Sequence, residues 1–222
     1  MDVVRIEGRD LPVWPAGQPV DRWVEPSVLV ANFADAPAYQ GALRQTILAM
    51  AANPALDNAV EDGTIGRHKL YDVDKWGCPA ATLVHLRALQ LFRIVTRQRE
   101  VTVDLSWASV YLSGDCCIPH SHPRTMASIV YALDLGDPGP EGNGRFCFAD
   151  PRMAICCREQ AGYMSTPCAP DLAPGTMMMF PGQTVHFVNV YRGERPRITL
   201  SWNLNQAAVA GDAVPYAINR PQ

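Results

Sequence analysis

The feature that most constrains this chain is a change of texture near Glu100. From Val101 onward it runs in short stretches rich in valine, isoleucine, tyrosine and threonine: VTVDLSWASVYLS, SIVYALDL, RFCFAD, TMMMFP, TVHFVNVYR and RITLSWNLN. Clusters of glycine, proline and aspartate break them, as in GDPGPEGNG, APDLAPG and RGERPR, at spacings of about ten residues. β-Branched and aromatic runs punctuated that often do not suit long helices. They predict an antiparallel sandwich or barrel.

The preceding third reads differently. Helical periodicity predicts one helix over about Ala36–Met50, with Asp35 as its N-cap. A second is predicted over about Pro79–Arg97, where Leu83, Leu86, Leu89, Leu91 and Ile94 recur and Pro79 suits the first turn. Between them, DNAVEDGTIGRHKLYDVDKWG reads as loop with a short extended piece. Helices gathered before the strands serve to cover one face of a sheet. The expectation is a mainly β chain with N-terminal helices and a single domain over 1–222. Within it, 1–100 would be helical support with a β extension, 101–205 the β core and 206–222 a tail.

Composition narrows the function classes. With 48% hydrophobic and 18% charged residues, the chain is globular rather than disordered. A formal charge of -3 and a pI near 5.9 give no basic face for nucleic acid. No apolar run approaches the ~18 residues of a membrane helix. The opening MDVVRIEGRD alternates charge with valine and reads as no export signal, so a cytoplasmic location is expected. The seven cysteines are an odd number, four of them sit in adjacent pairs (Cys116 with Cys117, Cys156 with Cys157), and no C-x-x-C occurs. They are expected to be reduced and to pack as small hydrophobes.

Chemistry concentrates in the β region. Of five histidines, His120, His122 and His186 lie there. Residues i and i+2 of an extended segment share a face, so His120 and His122 present two imidazoles together. Imidazole suits zinc, iron, copper or nickel, and His186 supplies a third ligand if its strand crosses nearby. The same residues would also fit a surface pair and an ordinary core histidine. The last strand alternates cleanly, with Arg197, Thr199, Ser201 and Asn203 on one face and Ile198, Leu200, Trp202 and Leu204 on the other. Such a polar face meets solvent, unless the sheet closes around a ligand. In that case Arg197, with a hydroxyl two residues on, is a fork for a carboxylate.

In combination, Trp107, Tyr111, the stretch His120-Ser-His122-Pro123, SIVYALDL, FADPR, APGTMMMFPGQTVH ending at His186, and Arg197-Ile-Thr199-Leu-Ser201-Trp-Asn203 resemble the Fe(II)- and 2-oxoglutarate-dependent oxygenases. The sequence is most similar to a bacterial group that carries H-x-H-P where relatives have H-x-D. The resemblance covers about residues 101–205. It implies a double-stranded β-helix, the jelly roll or cupin-like barrel. It also implies Fe(II), 2-oxoglutarate as cosubstrate and O2, with hydroxylation of a C–H bond in a small or amino-acid-like molecule and release of succinate and CO2. His120, His122 and His186 would be the metal ligands. Arg197 would bind the cosubstrate, helped by Tyr111, Thr199 and Ser201. A histidine in the carboxylate's place leaves the site one charge more positive. Asp115 and Asp134 are the nearby carboxylates that would substitute for it. The implied partner is a small-molecule substrate, with neither nucleic acid nor membrane, and a homodimer stays open.

A cupin is the alternative. Gly114 with the H-x-H six residues on, and PGQTVHFVN, partly fit cupin motifs, and a three-histidine cupin is a thiol dioxygenase, an isomerase or a metal-dependent binder. The glutamate expected after the H-x-H is absent, since Thr125, Met126, Ala127 and Ser128 stand there, and a cupin has no general need of Arg197. Met177–Met179 and the tryptophans at 23, 76, 107 and 202 read as core. Arg124, Arg145 and Arg152 read as a solvated face, with greeting an anionic substrate as the alternative. His68 and His85 have no motif around them, and His85 is expected to pack or face solvent on a helix.

Overall fold

The structure, a computed structural model, describes residues 2–23, 25, 27–53, 55, 68–157 and 166–206. The expected tail beyond Gln206 lies outside the described residues. The first elements form a hairpin of β1 (Val3–Ile6) and β2 (Arg9–Pro12). Then come β3 (Asp21–Arg22), β4 (Leu29–Asn32), α1 (Gln40–Ala51), β5 (His68–Tyr71) and α2 (Pro79–Thr96). The later part holds β6 (Val101–Tyr111), β7 (Cys117–His120), β8 (Ala127–Asp134), β9 (Phe146–Phe148), β10 (Thr176–Pro181), β11 (His186–Val188) and β12 (Arg197–Gln206).

Seven strands form the major sheet in the order β3-β4-β10-β8-β12-β6-β5, and three form the minor sheet, β7-β11-β9. Every pairing is antiparallel. This is the mainly β, double-stranded β-helix class the residues imply. The two sheets share no hydrogen-bonded edge among the described residues, so the expected closed barrel is an open two-layer arrangement. Strands from before Glu100 complete the major sheet at both ends: β4 joins β10 and β5 joins β6. Both are short; β5 falls in the extended piece expected between the helices, and β4 was legible only as an unlocated β extension.

The helices cover the outer face of the major sheet. Leu83 and Leu91 of α2 and Leu43 and Ile47 of α1 are fully buried in one cluster with Ile129, Leu200 and Trp202. At ~25 cal/mol per Å2 of apolar surface, that cluster supplies most of the driving force for the layer. Ile94, expected on the apolar stripe, is instead 40% exposed near the end of α2.

The first helix begins later than its periodicity predicts. Residues Ala36–Ala38 form a separate 3-10 turn, and Asp35 makes no side-chain cap. Its carboxylate is taken by Arg87 of α2, whose side chain is fully buried, with Oδ2 2.6 Å from Nη2. Arg87 also donates to the Tyr39 hydroxyl and to the carbonyls of Val13 and Pro12. A buried guanidinium needs all these acceptors, and that demand outcompetes the cap, worth ~1 kcal/mol. No described helix is long and apolar enough to cross a membrane.

Candidate functional site

The three β-region histidines meet where the two sheets face each other. In the minor sheet His186 of β11 pairs directly with His120 of β7. His122 lies just past the end of β7 rather than within a strand, so the i, i+2 argument placed it correctly for a different local reason. Its backbone N–H donates to Gly182 O at 2.7 Å. A Cβ on Gly182 would fall 2.1 Å from the Thr125 carbonyl oxygen, so only glycine allows that approach. The imidazole centroids are 4.4 Å apart for His120–His186, 5.0 Å for His120–His122 and 5.2 Å for His122–His186. One nitrogen from each ring lies within 4.8 Å of the others, and no carboxylate joins this group among the described residues.

Electrostatics keep two of the rings neutral. Burial pushes His186 down to about 3, reinforced by His120 and His122 and partly opposed by the Thr184 carbonyl. Burial likewise pushes His122 down to about 4, with His120 and Lys69 adding repulsion. Neutral imidazoles carry the lone pairs that a metal needs. His186 is wedged by Phe146, stacked at 5.5 Å, and Phe180, edge-on at 4.9 Å. Asp150, from FADPR, fixes the turn before it by accepting the Val185 N–H at 2.9 Å. Hydrogen bonds from the Arg152 side chain hold the Asp150 carboxyl down at about 2.

Arg197, at the start of β12 and opposite Tyr111 of β6, is only 1% exposed. Its guanidinium lies 5.1 Å from the Tyr111 ring centroid. Its Nη1 is buried with no hydrogen-bond partner among the described residues. Leaving a charged donor so costs at least ~1–3 kcal/mol, which the fold tolerates only where something else supplies an acceptor. Gly144 is part of the cradle, since a Cβ there would lie 3.1 Å from Arg197 Cδ and 2.9 Å from Tyr191 Cδ2. Thr199 and Ser201 follow on the same face, so all seven residues singled out from the sequence line one cavity of about 330 Å3.

The residues fit the implied groups. Three imidazoles make a donor set suited to a first-row divalent ion. A buried, unsatisfied guanidinium across the same cavity suits a dicarboxylate. The substitute carboxylates are engaged elsewhere: Asp115 accepts the Leu112 N–H at 2.7 Å, and Asp134 pairs with Arg44 at 2.8 Å. Arg145 and Arg152 are exposed, as a solvated face should be, and pair with Asp171 and Asp150.

Sequence reasoning missed other walls of the cavity. Trp107, read as core, lines it, as do Lys69 and Tyr71 of β5. Lys69 Nζ lies 5.5 Å from the Trp107 ring centroid. Asn203, placed on the polar face but given no role, contacts His122 at 3.2 Å. Alternation in HKLY was the available signal for β5, but four residues are too few to locate a strand. His85 is buried and accepts the Trp202 indole N–H at 3.1 Å, which settles it as a packing residue.

Residues 105–203 match the protein family described as "Putative 2OG-Fe(II) oxygenase". No curated protein sequence matches the chain. Among solved structures it is similar to a prolyl hydroxylase from Trichoplax adhaerens bound to a hypoxia inducible factor peptide fragment (TM-score 0.61, 14% identity, 80% of this chain and 83% of that one). It is also similar to SnoN, a non-heme α-ketoglutarate-dependent epimerase from nogalamycin biosynthesis (0.61, 15%, 90% of each chain). A third is HygX from Streptomyces hygroscopicus with nickel and 2-oxoglutarate bound (0.57, 11%, 82% and 83%). At these identities the likeness shows the fold.

Proposed function

We propose, from the match of residues 105–203 to the family described as "Putative 2OG-Fe(II) oxygenase", that His120, His122 and His186 hold Fe(II), that Arg197 holds 2-oxoglutarate, and that the enzyme hydroxylates a C–H bond of a small or amino-acid-like molecule. The observation that carries this reading is the buried, unpartnered Nη1 of Arg197 on a wall of the cavity that the histidines share. A cupin has no general need of that group.

When bound, Fe(II) and 2-oxoglutarate supply oxygen activation, with O2 as oxidant and succinate and CO2 as products. The chain's own residues do the rest. Arg197 offers a planar fork to the distal carboxylate of the cosubstrate, with the Thr199 and Ser201 hydroxyls beside it and the Tyr111 ring against the guanidinium. His122 and His186, kept neutral by burial, take the metal without giving up a proton. Phe146, Val130 and Val188 make part of the wall apolar. A cavity of about 330 Å3 sits at the small end for ligand sites and must also admit the cosubstrate. The reading therefore has only the reacting part of the substrate entering, past Leu105, Trp107 and Ile118.

The same reading treats 1–222 as one domain, supported by β4 and β5 completing a sheet built mostly from later strands. A cytoplasmic location belongs to it, on the expectation drawn from the thiols. Anaerobic Fe(II) titration with and without 2-oxoglutarate tests the function. A metal-to-ligand charge-transfer band in the visible, present only with both and lost in His120→Ala and His186→Ala, is the expected result. If no band forms with the parent, the oxygenase reading fails.

A further inference from the structure

The cavity has a direction, and β6 marks it. Leu105, Trp107, Ser109 and Tyr111 alternate along that strand and all line the cavity. Leu105 is 38% exposed, whereas Trp107 and Tyr111 are buried, so Leu105 stands at the mouth and Tyr111 at the deep end. The Arg197 guanidinium lies against Tyr111, 5.1 Å from its ring centroid. A second cation faces the cavity from β5. Lys69 pairs with Ser109, yet its Nζ leans toward the mouth, to 5.5 Å from the Trp107 ring centroid. Trp107 and Tyr111 are four residues apart on an extended strand, about 14 Å. The two cations serve opposite ends of one cavity.

The charge around Lys69 is one-sided. The residue is buried on the cavity wall, and its charge opposes a proton on His122. No aspartate or glutamate is among the described residues that line the cavity. On the metal reading above, a divalent ion held by histidines alone has no negative protein ligand. The two charges of 2-oxoglutarate offset those of the ion, which leaves Arg197 and Lys69 as excess positive charge. In a buried site of low dielectric, that excess attracts an anion and repels a cation.

We propose that Lys69 binds the substrate at the mouth and that the substrate carries a carboxylate, which the ammonium holds while a neighbouring C–H bond faces the histidines. This rests on the oxygenase reading and narrows its substrate class to acids. The role takes one of the three N–H donors of an ammonium, so another contact of Lys69 leaves donors to spare. The histidines and Arg197 all lie within residues 105–203, whereas Lys69 and Tyr71 are the described lining residues outside that segment. Selection of the substrate is thereby separated in sequence from the residues that hold metal and cosubstrate.

The test uses probes of one shape, chosen apolar because Leu105 and Ile118 line the mouth: 3-phenylpropionate, 3-phenylpropionamide and 3-phenylpropylamine. Calorimetry is run on protein loaded with Ni(II) and saturated with 2-oxoglutarate. The carboxylate should bind at least ~10-fold more tightly than the amide, and the amine most weakly. Lys69→Met should remove this preference and Lys69→Arg should keep most of it. The constant for 2-oxoglutarate should move far less in Lys69→Met than in Arg197→Ala. A lysine that only packs on Trp107 predicts equal binding of acid and amide, in parent and variant alike. That equality overturns the proposal, as does a carboxylate probe that fails to bind. A loss of 2-oxoglutarate in Lys69→Met as large as in Arg197→Ala also overturns it, by giving Lys69 to the cosubstrate. The parent's ranking of the probes decides even if Lys69→Met does not fold. If the parent takes up neither Ni(II) nor 2-oxoglutarate, the oxygenase reading fails by itself, and the metal-free protein still reports on Lys69. There, an acid preference lost in Lys69→Met and kept in Arg197→Ala upholds the role of Lys69, and the reverse overturns it.

Discussion

The two faces of β12 are both buried and have opposite purposes. Ile198, Leu200, Trp202 and Leu204 are fully buried against the helices. Arg197, Thr199, Ser201 and Asn203 are 1%, 5%, 9% and 7% exposed and line the cavity. Only one face is finished by the fold itself. Trp202 has packing all round and a partner for its N–H, whereas Arg197 has a buried nitrogen with nothing to bind. Satisfied burial marks where stability resides. Unsatisfied burial marks where a ligand belongs. The comparison predicts that substitutions on the two faces separate stability from binding.

The largest effect belongs to the finished face. Trp202→Ala should cost ~3–5 kcal/mol of folding stability, through lost transfer energy, the cavity left behind and an orphaned His85. Chemical denaturation measures it. A loss below ~1 kcal/mol would mean that the helices are not the true cover of this face.

The unfinished face should behave in the opposite way. Arg197→Ala removes a buried charge without a partner, so stability should hold or rise slightly. The apparent constant for 2-oxoglutarate should rise by ~30-fold or more, equivalent to ~2 kcal/mol. Arg197→Lys should recover only part, because a point charge does not reproduce the fork. Metal affinity should barely change, since Arg197 is no ligand. If Arg197→Ala destabilises the fold as much as Trp202→Ala while cosubstrate binding is unchanged, the contrast between the faces collapses.

The legibility of these features from sequence follows the same division. Strand β12 was readable because its alternation is long, and β8 and β10 because buried strands are continuous apolar runs. The run TVHFVNVYR promised a long strand, but only His186–Val188 is one. Its start is diverted when Val185 gives its N–H to Asp150, and its register shifts after His186. The meeting of His120, His122, His186 and Arg197 around one cavity was legible because residue type, spacing and the family resemblance point to those positions. Asn203 on His122 was not, because it depends on which residues two separate segments bring together 81 positions apart. Lys69 and Tyr71 failed for a related reason: nothing local to HKLY says that it becomes the edge strand beside β6.

Acid should expose the cavity side next. With His186 at about 3 and His122 at about 4, the folded metal-free protein refuses protons that the unfolded chain accepts near 6.5. The unfolded state therefore binds more protons as pH falls below about 6.5, and stability present above that pH is progressively lost on the way down to the folded values. Up to about 5 kcal/mol should go between about pH 6.5 and 4, divided nearly evenly between His186 and His122. Asp150, held at about 2, contributes stability that is lost only below the ordinary carboxylate range, so it does not blur this window. Urea midpoints across pH measure the slope, which His186→Asn should flatten. An equally steep slope in that variant would place the acid sensitivity outside the histidine cluster.

The smallest effect concerns the thiols beside the minor sheet, and it asks whether packing alone holds the cavity side. Cys156 and Cys168 sulfurs are 3.4 Å apart, well beyond a disulfide bond of about 2.05 Å. Burial, then the hydrogen bond to Cys156, pushes the Cys168 thiol up to about 12. Only a thiolate attacks a disulfide, so at neutral pH Cys168 is a poor nucleophile despite its neighbour. Cys156 is fully buried in the cluster of Phe146, Phe148 and Phe180, where a neutral thiol packs as a small hydrophobe. Reductant should therefore shift Tm by less than about 1 °C, set against the 2–4 °C expected per kcal/mol in a chain of this size. Exposure to oxidised glutathione followed by thiol counting should show Cys157, the exposed cysteine, modified first. If reductant lowers Tm by many degrees, a cross-link supports this side. The contrast between the two faces would then be one of covalent closure rather than of satisfied and unsatisfied burial.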